Sequence, residues 1–86
     1  MPEVGTTATR PMTFGEKAVG LSFNPGGDEK VNEVKKLYAQ IIDLCADLRT
    51  PQSDNQVSNE RNRLLSIAII EAQGAQMWAV KAITWK

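Results

Sequence analysis

Histidine is missing from this sequence, and Cys45 is its only cysteine. Without histidine the commonest general base is gone. Neither a Ser-His-Asp nor a Cys-His pairing can be assembled. One cysteine cannot close a disulfide within the chain, and alone it cannot build a zinc site. No metal or other cofactor is therefore expected, and a lone thiol fits a reducing compartment. Charge excess is also lacking, since ten Lys and Arg balance ten Asp and Glu. That argues against a protein that coats polymeric nucleic acid. A small anionic ligand needs only a local cationic cluster. No uninterrupted apolar run of about 18 residues occurs, so no membrane span is expected. Met1 to Arg10 has no apolar stretch of the kind a secretory signal carries. There is no Gly-x-x-x-x-Gly-Lys motif and no dinucleotide-binding fingerprint after a strand. The carboxylates, among them Asp43, Glu60 and Glu71, fall where helix-surface residues fall. This inventory argues against an enzyme.

What is present is a chain of 86 residues, enough for one domain. A domain this small buries only about 60% of its unfolded surface. It needs a staple, and with disulfides and metal set aside, partner subunits are what remains. Residues 1–13 are rich in Thr, Ala and Pro without periodicity and read as a flexible tail. Residues 14–86 read as the folded domain. Within it, 14–27 carries Gly15, Gly20, Pro25, Gly26 and Gly27, which argue against a regular helix. Phe14, Val19, Leu21 and Phe23 are nevertheless too apolar for a solvated linker. The segment is expected to be a docked loop or a short extended arm.

Residues 28–49 are expected to be a helix. Asp28 and Glu29 stand where the helix dipole favours acid. Gly27 or Asp28 is a suitable N-cap. Val31, Val34, Leu37, Ile41, Leu44, Cys45 and Leu48 recur at spacings of three and four and make one stripe. Thr50 before Pro51 marks the stop. A second helix is expected to run to Trp85, starting from Ser53, which has capping-box spacing to Gln56, or from Ser58. A short link between two long helices makes an antiparallel hairpin.

The second helix is apolar on three sides. Leu64, Ala68, Ala75, Trp78, Ala82 and Trp85 form one seam. Leu65, Ile69, Ala72 and Ile83 form another, and Ile67, Ile70 and Met77 fill a third side. One partner helix cannot cover three sides of such a helix. Its C-terminal half is expected at a subunit interface, where the small residues allow close approach. The fold class expected is all-α: a two-helix hairpin with a glycine-rich N-terminal arm, assembled into a homo-oligomer.

Two groups of residues are candidates for binding. The first is Phe23 and Asn24, leading into a helix with Lys30, Lys35 and Lys36. An aromatic ring can stack on a base, and ammonium groups can hold phosphate. Equally, Phe23 can be a hydrophobic staple and the lysines a solvated face. The second group is Arg61, Arg63 and Lys81. A lysine within the apolar run around Trp78 and Ile83 must reach water or meet an anion. Around a three-fold axis one cation per subunit becomes three. Ion pairing between subunits, with Glu60 or Glu71, is the competing use.

The run Gly15-Glu-Lys-Ala-Val-Gly-Leu-Ser-Phe-Asn-Pro25, the helix start Val31-Asn-Glu-Val-Lys35 and the closing Ala75-Gln-Met-Trp-Ala-Val-Lys-Ala-Ile-Thr84 resemble a phage helical-hairpin family. It is the family of anti-CBASS cyclic-oligonucleotide sponges and related Thoeris-signal sponges, and the similarity spans roughly residues 14–85. The resemblance implies a homohexamer of hairpins in the cytoplasm of an infected bacterial host. It implies that cyclic dinucleotides are sequestered uncleaved between paired subunits, and cyclic trinucleotides where three subunits meet, so that the defence effector never meets its signal. On this resemblance Phe23, Asn24, Lys35 and Lys36 would serve cyclic dinucleotides, with Lys35 on phosphate. Arg61, Arg63 and Lys81 would serve cyclic trinucleotides. The family's Tyr-Arg-Asp-Leu segment is absent here, and Phe23 is the nearest substitute for its aromatic.

Two other readings stay open. A helical adaptor that binds another protein would use the same wide apolar surface. A small phosphodiesterase that degrades the signal would release linear products, and the residue inventory speaks against it.

Overall fold

The computed structural model describes residues 10–86. They form three helices, α1 (Phe14–Ala18), α2 (Glu29–Leu48) and α3 (Gln56–Ile83), and no strand is found among them. Helices α2 and α3 make the hairpin, and α1 lies against α2. Residues 1–9 of the expected tail lie outside the described residues.

Helix α1 was not anticipated. Thr13 caps it, its hydroxyl accepting from the Glu16 N–H at 3.0 Å, while the Glu16 carboxylate accepts from the Thr13 N–H at 2.9 Å. This is a reciprocal capping box, and Thr13-Phe-Gly-Glu16 carried its signature in sequence. Arg10 adds a paired contact to the same carboxylate, at 2.7 and 3.0 Å. The helix ends after five residues in a Schellman turn. The Leu21 N–H donates to the Glu16 carbonyl and the Gly20 N–H to the Lys17 carbonyl. Gly20, at φ +65°, supplies the left-handed residue this turn requires. The glycines that argued against a helix therefore end one and permit its docking. Gly15 is buried, and a Cβ there would lie 2.2 Å from the Ala39 carbonyl oxygen. Its N–H donates to Asp43 Oδ1 at 2.7 Å.

Helix α2 starts where expected. The Asp28 side chain accepts from the Lys30 and Val31 N–H groups. The start of α3 differs: its N-cap is Asn55, whose side chain accepts from Val57 and Ser58, rather than Ser53 or Ser58. Ser53 instead accepts from the Asn55 N–H and supports the cap from outside. The connection is tied down by Asn62, which accepts from the Thr50 N–H at 3.0 Å and donates to the Thr50 carbonyl at 2.7 Å.

The apolar stripe read on α2 is only partly buried. Leu37, Ile41, Leu44 and Leu48 are exposed, while the buried face is Val31, Lys35, Ala39 and Ile42. That face is held between α1 and α3. Ala39 touches Gly15 backbone to backbone, and such close approach has no room for leucine. The core consists of Val19, Ala39, Ile42, Ile69 and Ala72, with Leu21, Tyr38 and Cys45 packed on its edge.

On α3 one seam of the three is covered. Ile69 and Ala72 are buried, and Leu65 and Ile83 half-buried. The Leu64-to-Trp85 seam and the Ile67, Ile70 and Met77 side are open. The molecule is only 13 Å along its thinnest axis, close to the diameter of a single helix. It is one layer of helices, with exposed apolar side chains on both α2 and α3.

Candidate functional site

Lys35 organises the first candidate site. It is 5% exposed, and its ammonium donates to the carbonyls of Gly20, at 2.9 Å, and Phe23. Both carbonyls are available because of local backbone geometry: the Schellman turn places Gly20, and the Phe23 N–H in turn donates to the Gly20 carbonyl at 2.9 Å. The same ammonium lies 5.6 Å from the centre of the Phe23 ring, within cation–π range. Phe23 is thereby held at its backbone while the residue stays 71% exposed. An exposed aromatic fixed at its backbone is a surface on which a flat ring can stack.

Asn24 makes the turn that follows. Its side-chain amide donates to the Asp28 carbonyl at 2.9 Å and its oxygen accepts from the Asp28 N–H at 3.3 Å. Both polar atoms are engaged in shaping the loop. Gly27, at φ +64°, closes it ahead of the cap.

The loop forms one wall of a cleft of about 490 Å³. Phe23, Asn24, Pro25 and Lys35 stand on that side, and Val80, Ile83, Thr84 and Lys86 of the α3 end stand opposite. Of the four residues expected at a cyclic dinucleotide site, the structure brings Phe23, Asn24 and Lys35 together. Lys36 is exposed and does not line the cleft. The contribution of the chain's last turn was not read from the sequence. The antiparallel hairpin sets the start of α2 near the end of α3, but periodicity does not say which side chains share a cleft there.

The second candidate group is divided by the length of α3. Arg61 and Arg63 line a groove at its beginning, with Gln56, Val57, Glu60 and Leu64. Arg63 is held by Glu60 through contacts of 2.7 and 3.0 Å. The guanidinium hydrogen bonds lower the Glu60 carboxyl, and the same contact raises Arg63. Lys81 lies 20 residues beyond Arg61, or ~30 Å along the helix. It stands between two exposed indoles, 5.6 Å from Trp78 and 5.9 Å from Trp85. Within one chain these cations do not meet.

Arg63 also borders a second cleft, at the hairpin's closed end, together with Arg49, Asn59, Asn62 and Ser66. Arg49 donates to the Ser66 hydroxyl at 3.0 Å.

A histidine-free, all-helical hairpin whose clefts pair an aromatic ring or amides with cations defines a small helical ligand-binding domain. The family described as Acb2/Tad1, hairpin domain, matches residues 16–84. The chain belongs to that family, the anti-CBASS and Thoeris-signal sponges. Membership implies sponge-like binding of cyclic oligonucleotides by proteins that are in general not enzymes. No curated protein and no solved structure matches the chain. Among the described residues, no helix is long and apolar enough to cross a membrane.

Proposed function

We propose that this protein captures cyclic oligonucleotide signals and holds them without cleavage, so that CBASS effectors in the infected host cytoplasm are not activated. The observation that carries the reading is the Lys35–Phe23 arrangement within a chain of this family. A buried ammonium fixes an exposed aromatic ring at the edge of a cleft that a nucleotide can enter. A cyclic dinucleotide has two bases and two phosphates, and two copies of this cleft across a two-fold axis would match that symmetry. Sites for cyclic trinucleotides would draw on Arg61, Arg63 and Lys81. These are ~30 Å apart in one chain, so such a site requires several chains.

The shape supports assembly. A layer one helix thick encloses no core on its outer faces. Leu37, Ile41, Leu44 and Leu48 on α2, and Ile70, Met77 and Trp78 on α3, remain exposed. Patches of this kind mark interaction surfaces. Identical copies, in a hexamer, would cover them and bring the separated cations together.

Calorimetry with cyclic GMP-AMP and with cyclic tri-AMP tests the reading. Binding is expected, with intact ligand recovered after heat denaturation of the protein. Linear products would indicate a phosphodiesterase. No heat with either ligand, on a folded oligomer, would reject capture and favour the adaptor reading.

A further inference from the structure

The cleft between the Phe23 loop and the end of α3 holds two lysines in unlike states. Lys35 is buried, and its ammonium is already bonded to the Gly20 and Phe23 carbonyls. Two of its three N–H groups are thus used inside the fold. Its charge also faces the Phe23 ring. Lys86, on the opposite lip, is exposed. No hydrogen bond or ion pair among the described residues engages its ammonium. Asp28 is the one acidic side chain lining the cleft, and its Oδ1 caps α2 by accepting from the Lys30 and Val31 N–H groups. A phosphate entering here therefore meets one lysine committed to the backbone and one that no other described residue engages.

We propose that Lys86 is the anion-contacting cation of this cleft and that Lys35 is a positioning residue acting through Phe23. The proposal rests on the capture reading above and assigns the ligand's parts to residues. The base stacks on the face of Phe23 turned away from Lys35. The phosphate reaches across the cleft, past Val80 and Thr84, to Lys86. Lys35 keeps the ring in place by holding the carbonyl of the residue that carries it. The last turn of α3 thus becomes part of the ligand site, and the cleft is complete only when that turn is docked beside the loop.

The two roles differ in salt dependence. A direct ammonium–phosphate contact weakens with ionic strength, because charges exposed at a lip are screened. A strut that acts through an aromatic ring contributes to affinity with little dependence on salt. Calorimetry with cyclic GMP-AMP, run on the full chain at several salt concentrations, separates them. Lys86→Gln is expected to weaken binding about tenfold, the usual scale for one charge-assisted contact, and to flatten the salt dependence. Lys86→Arg should retain both. Lys35→Met should weaken binding while leaving the salt dependence unchanged, with faster amide exchange at Phe23. If Lys35→Met flattens the salt dependence and Lys86→Gln does not, the assignment is reversed and the proposal fails. If Lys86→Gln binds like the unaltered protein, the Lys86 role is overturned while capture stands. No heat from the unaltered protein overturns capture, and this assignment with it. Lys86 is exposed and lies beyond the end of α3, so its variants keep the fold and the test is not confounded by unfolding.

Discussion

The ammonium of Lys35 donates to the backbone carbonyl of Phe23 and lies 5.6 Å from the centre of the same residue's ring. One charge thus fixes both the position and the exposed face of one aromatic residue. The arrangement also explains why a lysine sits on the buried face of α2. The interior of the hairpin is where the loop's carbonyls end, and a long cationic side chain can reach them.

Replacing Lys35 with Met should therefore cost stability before any ligand is considered. The Gly20 and Phe23 carbonyls would lose a donor in a part-buried setting, a loss of about 1–3 kcal/mol. Urea denaturation followed by circular dichroism should show a lower midpoint with an unchanged slope. Amides from Gly20 to Phe23 should lose protection first.

Gly15→Ala tests the docking of α1. The new methyl would sit 2.2 Å from the Ala39 carbonyl oxygen and 2.8 Å from Asp43 Oδ1. The backbone contact cannot yield cheaply, so α1 should lift from α2 at a cost of about 1–3 kcal/mol, the scale of overpacking. The α2–α3 hairpin should persist. Nuclear magnetic resonance should report lost protection at the Gly15 amide, with Ile69 and Ala72 shifts largely preserved.

The N-terminal clasp should be sensitive to acid. The Arg10 guanidinium, followed by the Thr13 N–H, holds the Glu16 carboxyl down from the usual 4.5 to about 2. A folded-state pKa below the unfolded value stabilises the clasp fully above about 4.5. That contribution is lost as pH falls toward 2. Protection of the Thr13 and Glu16 amides should decline through this window. Glu16→Gln should lose that pH dependence, already opened at neutral pH.

Much of the fold was legible because helices announce their ends chemically. Asp28 reads as a cap, Thr50-Pro51 reads as a stop, and both stand where the structure puts them. Helix α1 was readable in its capping box, but the surrounding glycines suggested coil. The start of α3 was read at Ser53 or Ser58, whereas the cap is Asn55, a residue type equally suited to that role. The harder matter was the direction of the α2 stripe. Periodicity identifies an apolar face without saying what covers it. Here the leucine-rich face points outward, and alanine and lysine point inward. At the site, Phe23 and Lys35 were legible as residue types beside a helix start. Lys86 and Thr84 were not, because the loop before α2 and the end of α3 meet in space only.

The outward stripe gives a further expectation. Leu37→Glu combined with Leu44→Glu changes two exposed residues, so the hairpin itself should keep its helicity. Subunits should separate, and cyclic tri-AMP binding should disappear, because the proposed site draws its cations from different chains. An adaptor would lose its protein partner and show no nucleotide binding in either form.

The account depends most on identical copies covering the exposed apolar side chains of α2 and α3. Size-exclusion chromatography with multi-angle light scattering measures this directly. The predicted result is a single species at six times the 9.5 kDa chain mass. A stable, folded species of 9.5 kDa, with Trp78 and Trp85 fluorescing as water-exposed indoles, would contradict it.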